Sequence, residues 1–154
     1  MSFVAPFEQL PTTDLVLGGI YEGGSTGNLS SDPLARLLPG IGNQGGFRAC
    51  GRPKIGECPF VVLFTTGREA EWPDELDLRT GRFHYFGDNR TPGSSLHDTK
   101  RGGNRLLAEA FDSLHRHPEN RHRIPPFFVF ERTLGRDVRF RGLAVPGAIG
   151  ASSL

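Results

Sequence analysis

Apolar positions fall in short runs separated by stretches rich in Gly, Pro and Ser, with a single helical period in the second half of the chain. Pro59 to Thr66 (PFVVLFTT) is the most continuous run, β-branched and aromatic, and predicts a strand buried on both faces. Asp14 to Tyr21 (DLVLGGIY) predicts a first strand after an extended lead-in from Met1 to Thr13. Phe83 to Phe86 predicts another, broken by Gly87, Asp88 and Asn89. Pro126 to Glu131 and Asp137 to Val145 predict a final pair of strands joined through a Leu134-Gly135 turn. Asp32 followed by Pro33 is an N-cap with Pro at the first helical position, predicting a short helix to Leu38 that Pro39-Gly40 stops. Leu107, Ala110, Phe111 and Leu114 share one face of a second helix, running from an Asn104 N-cap to about His117 before Pro118.

Composition narrows the fold class. A chain of 154 residues suits one domain, and 21 Gly and 12 Pro against 12 Phe favour a β-rich barrel or α+β fold over a helical bundle. No run is apolar for long enough to span a bilayer and the N-terminus lacks the pattern of a signal peptide, so the expectation is a cytoplasmic protein without membrane contact. Cys50 and Cys58 lack the paired spacing of a zinc site and are expected to be reduced thiols; no metal or other cofactor is expected. Net charge is only +1, but its distribution is polarised: residues 1–78 hold five Lys or Arg against ten Asp or Glu, whereas residues 79–141 hold thirteen against seven. Sixteen of the eighteen cations are Arg, whose planar fork suits phosphates and base edges.

The basic half concentrates its candidate chemistry between Arg82 and Arg105 (RFHYFGDNRTPGSSLHDTKRGGNR). An aromatic strand there gives way to a polar loop carrying Arg90, Lys100 and Arg101, followed by Arg105 at the start of the helix. Cations beside aromatic rings suit a nucleic acid, whose phosphates meet the charges while a base stacks on a ring. A second loop, Gly40 to Arg48 (GIGNQGGFR), contains a G-x-G-x-x-G spacing, but no strand precedes it and no helix follows it, which argues against a dinucleotide site. Catalytic readings fail similarly. Neither Lys54 nor Lys100 follows a suitable acidic strand, His97, Asn104 and His115 lack a ββα metal hairpin, and there is no Gly-x-Ser-x-Gly elbow. The expectation is a binding domain rather than an enzyme, with no small-molecule substrate.

Phe83-His-Tyr85-Phe-Gly87, followed by the basic loop and Asn104-Arg-Leu-Leu107, resembles the SET- and RING-associated (SRA) domain. GGIYEGG, PGIGNQGGFR, WPDELDLRTG, YFGDNRTPG, LHDTKRGGN and FRGLAVPG together resemble the N-terminal recognition domain of AspBHI-type modification-dependent restriction endonucleases, over about Leu17 to Gly147. The resemblance implies an α+β fold, an SRA-like (PUA-like) curved β-barrel with flanking helices. It also implies that the domain flips 5-methylcytosine out of duplex DNA and leaves cleavage to a separate nuclease domain. On this reading residues 1–147 are the recognition domain and residues 148–154 begin a linker.

A methyl-sensitive reader benefits from extruding the base into a pocket. The resemblance places Tyr85 on the stacking wall and Phe86 where SRA domains often carry a small polar residue. Trp72 is the candidate for the opposite wall or, alternatively, a core plug. Asp74, with Asp77 in reserve, would accept from cytosine N4. Gly87, Asp88 and Asn89 complete the expected pocket, the last two serving equally well as turn formers. Ile41, Asn43, Gln44 and Arg48 on one loop, and Arg90, Lys100, Arg101 and Arg105 on the other, are the expected duplex contacts. A modified-RNA-binding module on a PUA-like barrel, and readers of 5-hydroxymethylcytosine or phosphorothioate DNA, remain open alternatives.

Overall fold

The apolar run beginning at Pro59 becomes the strand that joins the two halves of the chain. The computed structural model describes residues 2–71, 73–87, 95 and 99–149. In chain order its elements are β1 (Val4–Ala5), β2 (Ile20–Tyr21), α1 (Pro33–Leu37), β3 (Phe47–Ala49), β4 (Val61–Thr65), β5 (Glu75–Asp77), β6 (Arg82–His84), α2 (Gly103–His115), β7 (Phe127–Arg132) and β8 (Val138–Ala144). Six of the strands form one sheet in the order β1-β2-β8-β7-β4-β3, and β5 and β6 form a separate two-stranded sheet. Every residue of β4 is buried. It runs parallel to β7, with Phe64 opposite Phe130, and antiparallel to β3, with Val62 opposite Arg48.

Side-chain alternation along these strands makes a core on each face. Val62, Phe64, Phe130 and Phe140 pack with Tyr21, Leu34 and Leu37 on one side, so this face receives α1. Val61, Leu63 and Phe127 pack with Phe47, Leu106 and Ala110 on the other, so that face receives α2. The two faces explain why β4 is apolar at every position from Val61 to Phe64.

Three expectations need correction. The fold is α+β, but the main sheet is open rather than closed into a barrel: two-residue β1 and three-residue β3 stand at its edges, and neither pairs with the other. The segment from Asp14 to Gly19 is not strand, because the Tyr21 hydroxyl folds it back, accepting from Val16 N at 2.7 Å and donating to Asp14 O at 2.8 Å. Burial raises the pKa of that Tyr21 hydroxyl. The long helix is capped by Gly102 rather than Asn104, and Asn104 is fully buried in its first turn. The short helix forms as its sequence predicts, with Ala35 N donating to Asp32 Oδ1 at 2.9 Å.

Candidate nucleic-acid interface

Asp77 shapes the turn that presents the β5–β6 hairpin. Its carboxylate accepts from Arg79 N at 2.9 Å and from the Thr80 hydroxyl at 2.7 Å, and the Thr80 bond leads the causes that lower its pKa. This reserve candidate for a base contact is thus exposed and engaged in its own turn. Asp74, at the open end of the hairpin, accepts from Phe86 N through Oδ1 at 2.9 Å. That bond draws together the acidic and aromatic arms that the sequence separates by the hairpin.

Tyr85 is half-buried against the α2 side of the core, its ring centroid 5.9 Å from that of Phe83. The Phe86 ring is exposed and stacks on His84, with centroids 4.9 Å apart and planes inclined by 7°. Gly46 lies beneath Tyr85: a Cβ there would stand 3.4 Å from the Tyr85 hydroxyl and 2.8 Å from Phe64 O. The hairpin and the loop between α1 and β3 therefore meet at Tyr85. Gly87 adds the third element. It has φ +88°, and a Cβ there would overlap the amide oxygen of Asn104, which gives a physical reason for the glycine in the aromatic motif and for its distance from α2.

Two arginines hold the loop between α1 and β3, and neither projects freely from it. Arg48 is only 4% exposed, pairs with Asp32 at 2.9 Å and donates from Nε to Gly45 O at 2.8 Å. Burial lowers its pKa and Asp32 opposes that shift. Arg101, from the segment leading into α2, donates through Nη1 to Gln44 O at 2.7 Å, and its guanidinium covers the space that a Cβ on Gly45 would fill. Asn43, Gln44, Lys100 and Arg105 are exposed near these contacts or at the start of α2, whereas Ile41 packs partly into the core. Trp72, Asp88, Asn89 and Arg90 lie outside the described residues. No group of three or more His, Cys, Asp or Glu side chains is arranged for a metal ion, and no helix is long and apolar enough to cross a membrane, among the described residues.

Residues 15–153 match the family described as "Restriction endonuclease AspBHI N-terminal". The chain belongs to this family. As a member of the AspBHI N-terminal family it is a domain of a restriction endonuclease and not the nuclease itself. The "DNA recognition domain of the cytosine modification-dependent restriction endonuclease LpnPI" is 41% identical with a TM-score of 0.89, the match covering 99% of this chain and 68% of that one. The "DNA modification-dependent restriction endonuclease AspBHI" is 43% identical with a TM-score of 0.81, the match covering 97% of this chain but 38% of that one. The structure "MspJI Restriction Endonuclease in Complex with 27-mer Oligonucleotide" shares the fold at 22% identity and a TM-score of 0.59, over 85% of this chain and 36% of that one. No curated protein matches.

The hairpin, the loop between α1 and β3, and the start of α2 thus meet at one junction. Sequence reasoning missed two residues beside this junction, on the α1 face of the sheet. Asp32 was legible only as a helix cap, although it also neutralises Arg48. Arg132 escaped notice because it follows the apolar run of β7; its guanidinium lies 5.3 Å from the centroid of Phe64. The available signal was the alternation Phe128, Phe130, Arg132, which ends an aromatic strand face on a cation.

Proposed function

We propose that this domain reads a modified cytosine, foremost 5-methylcytosine, in duplex DNA by extruding the base into a pocket beside Tyr85. The observation that carries the proposal is the convergence on Tyr85 of the Asp74-bearing hairpin and the Gly46 loop, in a chain 41% identical to a domain described as recognising DNA for a cytosine modification-dependent endonuclease. Tyr85 supplies a flat wall, and the hydrogen bond from Phe86 N orients Asp74 as the acceptor for cytosine N4. Asp74 takes precedence over Asp77, whose carboxylate is occupied by Arg79 and Thr80. Trp72 forms the opposite wall, while Phe86, Gly87, Asp88 and Asn89 shape the rim. Asn43 and Gln44 approach the duplex; Arg90, Lys100 and Arg105 meet its backbone. Arg48 and Ile41 act from inside, fixing the loop that carries these contacts. The domain serves as the reader of a larger restriction endonuclease whose cleavage site lies elsewhere.

The test is competition binding of 5-methylcytosine, 5-hydroxymethylcytosine, phosphorothioate and unmodified duplexes, and RNA, at matched salt. Tighter binding of the methylated duplex is expected, with Tyr85→Ala losing most of that preference because base stacking on an aromatic ring is worth about 1–3 kcal/mol. Equal affinity of the wild type for methylated and unmodified duplex would exclude this reading. Preference for RNA would favour a modified-RNA module.

A further inference from the structure

Three guanidinium groups crowd one corner of the α1 face of the sheet. The Cζ of Arg48 is 5.4 Å and that of Arg132 is 5.3 Å from the centroid of the same Phe64 ring. The guanidinium of Arg101 reaches the corner through Gly45, whose carbonyl accepts from Arg48 Nε. Only one carboxylate answers these charges among the described residues, that of Asp32, and it is taken by Arg48. Arg101 directs Nη1 at the carbonyls of Gln44 and Phe47 and pairs with no carboxylate among the described residues. Among the described residues Arg132 has no ion pair, and its buried Nε has no hydrogen-bond partner. The neighbouring carboxylate of Glu131 does not help, since it is bound to Arg141 at 2.5 Å. Like charges gathered on a low-dielectric aromatic surface repel one another, and both Arg101 and Arg132 contribute to lowering the pKa of Arg48.

We infer that Arg132 and Arg101, backed by the Arg48–Asp32 pair and the Phe64 ring, form a seat for a phosphate oxyanion, and that this oxyanion is a backbone phosphate of the bound duplex. The identification of the oxyanion with a duplex phosphate rests on the DNA-reading proposal above; the seat itself does not. An anion would supply the charge the corner lacks and would meet the planar Arg fork suited to phosphate. The Phe64 ring holds the Arg132 fork in place through its face, limiting the rotamer freedom lost on binding. Arg132 is therefore a backbone contact that would tie affinity, but not base preference, to the sheet itself.

The test compares wild type with Arg132→Met, which keeps an apolar stem over Phe64, in two titrations. Sodium pyrophosphate, against sodium chloride at equal ionic strength, is expected to raise the melting temperature of the wild type, and this increment is expected to vanish in the variant. The salt dependence of duplex binding is expected to flatten by about 0.9 in log–log slope in the variant, with methylated and unmodified duplexes weakened by the same factor. Retention of the pyrophosphate increment by the variant, or a variant melting well below the wild type as the loss of a structural brace would require, overturns the seat. An unchanged salt slope with the increment lost overturns its assignment to a duplex phosphate. A wild type that binds no duplex overturns both that assignment and the DNA-reading proposal, while the pyrophosphate arm still judges the seat independently.

Discussion

Gly87 and Asn104 stand seventeen positions apart in the chain yet touch, with the glycine backbone pressed against the buried amide. A side chain at Gly87 meets two penalties, a positive φ and the overlap with Asn104, so Gly87→Ala should lower stability by about 2 kcal/mol. Urea unfolding measures this, and a variant as stable as wild type would show that the contact relaxes freely. Arg48 illustrates the opposite problem, a charge drawn inward. Asp32→Asn preserves a side chain able to cap α1 but removes the charge facing a guanidinium that is 4% exposed. Leaving a buried ion without its partner costs about 3–5 kcal/mol, so this substitution should destabilise far more than a lost cap. Denaturant midpoints for Asp32→Asn and for Asp32→Asn/Arg48→Met distinguish the two causes: recovery in the double variant identifies the stranded charge, and no recovery rejects it.

The β5–β6 hairpin has only three residues in each strand and lies outside the main sheet. An isolated two-stranded ribbon is marginal in water, which makes its turn and its Asp74 tether important to where Tyr85 sits. The Asp77 carboxylate is held below the ordinary range by the Thr80 hydroxyl and by backbone amides. A depressed folded pKa means that the turn's contribution is present above the unfolded value and is lost as pH falls through the folded one. The Arg79 and Thr80 amide resonances should therefore move together on acidification, with a midpoint below the usual Asp value of about 3.9. A midpoint at or above that value would show that the carboxylate does not hold the turn.

At the scale of the molecule, the acidic and basic halves of the sequence are not separate folding units. Parallel pairing of β4 with β7, and pairing of β2 with β8, interleaves residues from both halves in one sheet. Unfolding should therefore be a single cooperative transition, with far-ultraviolet dichroism and tyrosine fluorescence giving coincident denaturant curves. Separated curves would mean that one half survives without the other. The same interleaving explains how the loop between α1 and β3, carried by the acidic half, comes to be held by Arg101 from the basic half.

Local pattern alone determined much of this protein. The buried strand at Val61–Thr65, the capped helix at Pro33 and the final hairpin follow from periodicity, caps and glycine, which act over a few residues, whereas the strand expected over Phe83–Phe86 stops at His84. The short edge strands at Val4 and Phe47 and the strand at Glu75 were not legible, because two or three residues carry too little periodicity to register. Tertiary structure decided whether the sheet closed, since that depends on which distant edges meet. It also decided the fate of each cation. Arg48, Arg101 and Arg132 are equivalent letters in a basic sequence, but folding placed one against Asp32, one on loop carbonyls and one over Phe64 without a carboxylate among the described residues. The partner that a charge finds is a property of chain crossings, and only the folded chain supplies them.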